Sequence, residues 1–348
     1  MGNLNNNLFN YATSELSQDA FLCYLASFAL EEYKNDDVLK ECAKNLLHLF
    51  VPEIDAKKVV LQSIERQWDK IDVLLTALCD GTAYKIIVED KVFSSEHSDQ
   101  LIRYKDDVRK AYPECSVYGV YYKTGFQCDM RAVENAKYNI IDRKRMLSFL
   151  EKYVNISTNQ IVKEYYEYWN DFQMKSEEYK NIEIKNWYWL QRYGFFEEMK
   201  EWIPQHYDKF WVGYNYVPNP SGGFHGLWFG TDDGIFSINE AKFKVYLQIE
   251  MFAAEQHDKC FKICLKMSSD SKREEIKNAM NKIIYRENGG YRFNEYNFMR
   301  PKTIRSGHSM TIGLFECESI EYEDLKDDIN QAIQEYNRIL SELKKPEM

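Results

Sequence analysis

Two runs decide the fold: Ile71-Asp72-Val73-Leu74-Leu75 and Tyr84-Lys85-Ile86-Ile87-Val88-Glu89-Asp90-Lys91. Each is a short apolar stretch with β-branched residues, so residues 70–78 and 83–90 read as strands. Asp80-Gly81 between them supplies turn chemistry, and the two strands are expected to pair as a hairpin. Their charges set them apart. Asp72 lies inside the first run, and Glu89, Asp90 and Lys91 end the second. Carboxylates in such segments are costly unless paired, hydrogen-bonded or metal-bound. Glu89 and Lys91 are two apart and share a face, while Asp90 points away and offers its carbonyl at the strand end. The spacing does not fix the register. With the strands as hairpin partners, Asp72 reaches the same sheet end as Glu89.

Two carboxylates and a carbonyl make a hard oxygen site suited to Mg²⁺. A neighbouring lysine can orient water or stabilise charge developing on phosphate. Together these parts suit metal-assisted phosphodiester hydrolysis. A plain ion pair, Glu89 with Lys91 or Lys85, is the competing reading of the same residues.

Working outward, helical spacing predicts helices over 17–33 (Phe21, Leu22, Leu25, Phe28, Ala29) and 37–50, with Pro52 as the stop. A helix over 98–111 follows the hairpin, with Leu101, Ile102, Tyr104 and Val108 near one face. A strand at 115–122, a short strand at 138–141 and a helix over 143–153 complete this part. The order implies an α/β fold: a mixed central sheet flanked by helices. A soft boundary near 155 divides residues 1–155 from an accessory region, 156–348, with an antiparallel sheet.

In that second region helices are expected over 160–179 and 184–202, the latter closed by Pro204. Strands follow at 210–217 and 224–230. Clear alternation then places Phe243, Val245, Leu247 and Ile249 inward, and Phe261, Ile263 and Leu265 likewise. Lys242, Lys244, Lys262, Cys264 and Lys266 fall on the outer face, where the lysines are a solvated surface or a ridge for a nucleic-acid backbone. A helix over 272–285, strands at 291–298 and 310–316, and an amphipathic last helix (Leu325, Ile329, Ile333, Tyr336, Leu340, Leu343) finish the chain. The aromatic group Trp187, Tyr188, Trp189, Tyr193, Phe195 and Phe196 reads as core or as an interface in a homo-oligomer, with base stacking as the alternative.

The 348 residues are 45% hydrophobic, enough for a sizeable core, and few Gly and Pro argue against collagen-like and disordered classes. Net charge is −10, which excludes a generally basic nucleic-acid coat but not a local groove. Residues 1–150 hold 19 basic against 23 acidic side chains. Basic candidates are Arg103, Lys105, Arg109 and Lys110 after the acidic motif, and Arg143, Lys144 and Arg145 later. No apolar run approaches the roughly 20 residues of a membrane span. Residues 1–10 lack a signal-peptide pattern. The eight cysteines form no C-x-x-C pair and read as reduced thiols of a cytoplasmic protein. The six histidines make no zinc signature; His97 alone lies near the acidic cluster, in a polar loop. Residues 219–225 are Gly-rich but lack the Gly-Lys-Ser/Thr ending of a P-loop. Neither a Gly-x-Ser-x-Gly elbow nor a Rossmann fingerprint is found.

Four motifs in order resemble the PD-(D/E)XK nuclease superfamily, over residues 10–155. They are Ser14-Glu15-Leu16-Ser17, Ile71-Asp72-Val73-Leu74-Leu75, Val88-Glu89-Asp90-Lys91-Val92 and Gln100-Leu101-Ile102-Arg103-Tyr104. The resemblance implies a restriction-endonuclease-like fold and a metal-dependent nuclease, with DNA as the expected substrate. It implies Asp72 and Glu89 as metal ligands and the Asp90 carbonyl as a third donor. Lys91 would position water and stabilise the phosphorane-like state. Glu15 would reach the site from the first helix, directly or through water. Gln100 would hold phosphate or order the site, with Tyr104 on the same helical face. Mg²⁺ is the expected ion, with Mn²⁺ as a substitute. Ile71 stands where the family's proline would, and Asp90 where Asn is more familiar. A noncatalytic nucleic-acid-binding or assembly protein on the same scaffold is the alternative, and an interaction protein with an ion-pair network the third.

Overall fold

The computed structural model describes residues 6–32, 36–96, 99–219, 222–238, 241–252, 260–271, 273–304 and 307–344. His97, and Tyr33, Ser98, Pro220, Ser221 and Lys272 within the ranges given above, lie outside the described residues, as does His257 among the histidines. Two compact units divide the chain, Met1–Met174 and Lys175–Met348.

The first unit begins with α1 (Glu15–Ser27) and α2 (Asp37–Phe50). Then come β1 (Val60–Trp68), β2 (Ile71–Cys79), β3 (Thr82–Lys91), α3 (Gln100–Ala111) and β4 (Ser116–Lys123). It continues with α4 (Arg131–Asn135), β5 (Asn139–Asp142), α5 (Arg143–Val154) and α6 (Gln160–Glu177), which runs into the second unit. Among the described residues the sheet order is β1-β2-β3-β4-β5, antiparallel through β3 and parallel from β3 to β5. This is the mixed, helix-flanked sheet expected from the strand–helix–strand order. The hairpin turn uses Asp80 and Gly81 at φ 49° and 79°, the left-handed pair that the tightest hairpins demand.

Period-2 patterning sorts the sheet into two cores. Val73, Leu75, Ala77, Ile86, Val88, Val120 and Tyr122 pack with Phe21, Leu25, Leu46 and Leu150 of α1, α2 and α5. Leu74, Ile87 and Tyr121 face the other way, onto Leu101, Tyr104 and Val108 of α3. Both faces of β3 are thus dry. The exceptions are Lys85, buried against Glu65 and Thr76, and the three charged residues that end the strand.

β1 was not foreseen, because a register shift between Leu61 and Ser63 interrupts its alternation and its residues are mostly half-buried or exposed. α4 was also missed; five residues with one buried side chain, Val133, carry little pattern.

The second unit contains α7 (Trp189–His206), β6 (Trp211–Val217), β7 (Phe224–Gly230), β8 (Ile235–Ile238) and β9 (Ala241–Met251). β10 (Phe261–Ser268), α8 (Arg273–Ile284), β11 (Phe298–Met299), β12 (Ser309–Phe315) and α9 (Tyr322–Leu343) complete it. The strands form one antiparallel sheet, β11-β12-β10-β9-β7-β6, with β8 paired to β9. Three expectations need correction. Pro204 lies inside α7 rather than closing it, since one missing N–H near a helix end is tolerable. Residues 292–296 form a 3₁₀ turn rather than a strand; Tyr291 makes an isolated bridge to Tyr285, and Phe298–Met299 pairs with β12. The outer face of β10 is covered: Cys264 is buried, and Lys266 is buried against Glu250 Oε1 at 3.1 Å and Thr311 Oγ1 at 3.0 Å. Lys244 and Lys262 rest over the rings of Trp211 and Phe252. Of the ridge only Lys242 is fully exposed. Trp187, Phe195 and Phe196 are core; Tyr188 and Trp189 are exposed. No helix among the described residues is long and apolar enough to cross a membrane.

Candidate active site

The β2–β3 register pairs Val73 with Val88. One step outward, antiparallel pairing sets Asp72 across from Glu89, on the face that looks toward α3. Lys91, two residues on, follows Glu89 to that face. Its Nζ lies 2.5 Å from Glu89 Oε1, 3.0 Å from the Asp90 carbonyl and 3.8 Å from Asp72 Oδ2. Asp72 Oδ2 in turn accepts from the Asp90 backbone N–H at 2.9 Å. The cluster is set at the C-terminal end of β3, where β3 runs parallel to β4, the end at which α/β sheets bind ligands. Glu89 is 1% exposed, whereas the Asp72 side chain keeps 21%, so the open side of the cluster is Asp72's.

α3 completes this face. Gln100 Nε2 donates to Glu89 Oε1 at 2.7 Å and to the Tyr104 hydroxyl at 3.0 Å. Tyr104 donates onward to the Lys70 carbonyl at 2.8 Å, across the start of β2. The four-residue spacing of Gln100 and Tyr104 therefore works as a brace for Glu89.

α1 meets the same sheet end from the other side. Glu15 Oε1 does not touch Lys91 or Glu89. It accepts from Val92 N–H at 3.1 Å and from Ser94 Oγ at 2.6 Å, holding the segment that leaves β3. Gln18 donates to Asp90 Oδ1, and its own Oε1 accepts from Thr124 Oγ1 at 2.9 Å and Tyr165 OH at 3.2 Å. Asp90 is thus clamped through its N–H, carbonyl and side chain at once. Asp19, one turn after Glu15, is 1% exposed.

Charge here is crowded and dry. Burial first, then the charge of Asp72, pushes the Glu89 carboxyl up to about 7, with Lys91 opposing. Asp19 is raised to about 7 by burial and by Asp72. Burial and Asp19 hold Asp90 well above the usual carboxylate range. Burial works against the Lys91 charge, but Glu89 and Asp72 outweigh it, so the ammonium stays above its usual range. Glu89 Oε2, Asp90 Oδ2 and Asp19 Oδ1 are buried without a hydrogen-bond partner. Such oxygens are uncommon and costly.

A family model for the PD-(D/E)XK nuclease superfamily matches residues 3–207. That is more than half of the chain. This protein belongs to the PD-(D/E)XK nuclease superfamily. No curated protein matches it, and no solved structure does.

PD-(D/E)XK nucleases typically use divalent metals, and the residues here fit one. The donors are all oxygen, the chemistry of hard cations. The orphaned Glu89 oxygen is a buried acceptor with nothing to accept from. Among the described residues no group of three or more His, Cys, Asp and Glu is gathered as a ready cage. The pair Asp72 and Glu89, with the Asp90 carbonyl, is what can grip an ion.

Three residues of this candidate site were not anticipated from the sequence. Gln18 and Asp19 lie three and four places after Glu15, a helical spacing that was there to use. Lys123, paired in register with Lys91 at the end of β4, is 2% exposed and donates to the Val92 carbonyl at 2.8 Å and the Ser94 carbonyl at 2.6 Å. It carried no signal beyond being a lysine that ends an apolar strand.

The expected basic patch is largely committed elsewhere. Lys105 is buried and donates to the carbonyls of Ala136 and Lys137. Arg143 is buried, bonded to the Thr124 carbonyl and to Gln173 Oε1. Arg109 and Lys110 pair with Asp106 and Asp107 on their own helix. Arg145 is bonded to Asn139 and the Ile140 carbonyl. Arg103 and Lys144 are exposed.

Proposed function

We propose that this chain hydrolyses phosphodiester bonds of nucleic acid, DNA before RNA, with a divalent cation, Mg²⁺ or Mn²⁺. One observation supports it above the others: Asp72, Glu89, Lys91 and Gln100 converge within hydrogen-bonding or ion-pair reach at one sheet end. A salt bridge alone would not need Glu89 braced by Gln100 and left with an orphaned second oxygen.

Asp72 and Glu89, with the Asp90 carbonyl, would hold the ion. When bound, it supplies Lewis-acid charge and lowers the pKa of water. Lys91 stays protonated, so it acts as a positive charge toward the phosphate and a donor that orients the attacking water. Gln100 fixes the rotamer of Glu89, and Tyr104 fixes Gln100. Asp90 aligns Asp72 through its N–H. Water adds to phosphorus, the bond to one sugar oxygen breaks, and two strand ends result.

The test is incubation of the full chain with supercoiled DNA and with an RNA oligonucleotide. Cleavage of the DNA is expected in Mg²⁺, with none in EDTA. Lys91→Ala should cut at least about 100-fold more slowly, the scale for losing a charge aimed at the transition state. Cleavage that survives both EDTA and Lys91→Ala would refute the mechanism. Salt-dependent DNA binding without turnover would identify the noncatalytic alternative.

A further inference from the structure

The segment that leaves β3 is fastened at four points and yet displays an aromatic ring to solvent. Residues 92–94 follow directly on Lys91, the last residue of the strand. Glu15 holds them through the Val92 N–H at 3.1 Å and the Ser94 hydroxyl at 2.6 Å. Lys123 holds them through the Val92 carbonyl at 2.8 Å and the Ser94 carbonyl at 2.6 Å. Gly125 closes against the same turn of chain, where any side chain would collide with the Val92 carbonyl. Between these two tied residues, Phe93 is 61% exposed.

The ring does not hang free of the fold. Its centroid lies 6.5 Å from that of Phe172, which in turn lies 5.8 Å from Phe126. The Arg143 guanidinium rests over both of those inner rings, 4.6 Å and 4.9 Å from their centroids. Phe93 is thus the outermost member of a packed aromatic row. Single exposed apolar residues are ordinary on a protein surface. Phe93 differs in its place and in its rigidity. Two residues of extended chain put its Cα within about 7 Å of that of Lys91. Leu16, next to the clamping Glu15, is 58% exposed as well.

The polar ties fix where Phe93 stands without burying it. A ring already held in place loses little freedom when a flat partner settles on it. In nucleic acid the flat apolar partner is the face of a base, and aromatic side chains stack on any of them. A duplex covers those faces with neighbouring bases. They are open in a single strand, or in a stretch that negative supercoiling unpairs.

We propose that Phe93 is the base-stacking residue of this site, seating the nucleobase beside the scissile phosphate, and that the preferred substrate is single-stranded nucleic acid. The inference rests on the nuclease reading above and names the substrate class of that same site.

The experiment measures kcat/KM of the full chain in Mg²⁺ on a single-stranded oligonucleotide of whichever polymer it cuts, and on the same strand annealed to its complement. Wild type, Phe93→Ala, Phe93→Leu and Phe93→Tyr are compared, with melting curves to check that each folds. Wild type should prefer the single strand. On that strand Phe93→Ala and Phe93→Leu should each lose about 10-fold, the scale of one base–aromatic stack, while Phe93→Tyr stays within about twofold of wild type. A preference for the duplex, a Phe93→Ala variant as efficient as wild type, or leucine serving as well as tyrosine overturns the proposal. In those cases Mg²⁺-dependent cleavage that is lost in Lys91→Ala still upholds the nuclease reading. A wild type that cuts neither DNA nor RNA overturns both. The leucine and tyrosine variants carry the test should Phe93→Ala fail to fold.

Discussion

Replacing Lys123 with methionine probes the segment on which the site depends. Lys123 is buried at the end of β4, and its ammonium bonds the Val92 and Ser94 carbonyls. Those two residues also hold Glu15, through the Val92 N–H and the Ser94 hydroxyl. Methionine fills similar volume and leaves both carbonyls without a donor. Two hydrogen bonds from a charged donor contribute about 3–6 kcal/mol. Burial offsets part of this, because it lowers the Lys123 pKa from 10.5 to about 8. That drop corresponds to about 3 kcal/mol of charging cost at neutral pH. The net loss expected at pH 7 is about 0–3 kcal/mol.

The pH dependence has a definite sign. Between pH 8 and 10.5 the unfolded chain keeps the Lys123 proton and the folded chain does not, so wild-type stability rises with pH across that window. Methionine has no such proton. The deficit of Lys123→Met therefore widens from pH 7 to pH 10, by roughly 2–3 kcal/mol. Urea unfolding of both proteins at pH 7, 8, 9 and 10 measures it. Nuclease activity at pH 7 should fall about 10-fold, as for other groups that act through a ligand's support. A deficit that narrows with rising pH, or a variant as stable as wild type throughout, would refute the reasoning.

Gln18→Leu removes the donor to Asp90 and the acceptor for Thr124 and Tyr165, all buried. A loss of about 2–4 kcal/mol is expected in urea unfolding, since stranded polar groups cost about 1–3 kcal/mol each. In the second unit, burial lowers His225 from 6.5 to about 4, and Arg192 adds to the shift. The unfolded chain takes up that proton first, so stability falls as pH drops from 6.5 to 4 by up to about 2–3 kcal/mol. His225→Phe, compared with wild type by melting curves over that range, should lack this part of the acid sensitivity.

The legible parts of this protein were those written as periodicity. The apolar runs at 71–75 and 84–88 announced strands and the strand–helix–strand order a sheet flanked by helices, and a core is found on each face. Gln100 and Tyr104 were readable because four residues make one helical turn. The register that sets Asp72 opposite Glu89 was not readable, since a hairpin's pairing depends on turn geometry and the turn runs through two left-handed residues. β1 was hidden by its bulge. Lys266 and Cys264 were misassigned because alternation reports the two faces of a strand but not whether the second is covered. The basic residues failed for a related reason: a sequence count cannot tell a cation facing solvent from one, like Lys105 or Arg143, bonded to backbone carbonyls.

The placement of polar groups on α1 argues that this helix fixes the end of β3, while α3 braces Glu89. Glu15, Gln18 and Asp19 fall within a single turn and a quarter, so they project over one sheet end while the following turns bury Phe21, Leu22 and Leu25. Two of them reach different parts of β3's terminus, Glu15 the departing segment and Gln18 the Asp90 side chain, while burial and the charge of Asp72 on β2 act on Asp19. Polar burial of this kind costs stability wherever it occurs. Ile86, Ile87 and Val88 keep the middle of β3 apolar, between buried Lys85, which is paired with Glu65 and Thr76, and the three charged residues that end the strand. Tertiary packing in general does not require three such residues in a row. A site that must hold a cation, aim an ammonium and keep both rigid does, because each added polar contact narrows where Asp72, Glu89 and Lys91 can sit.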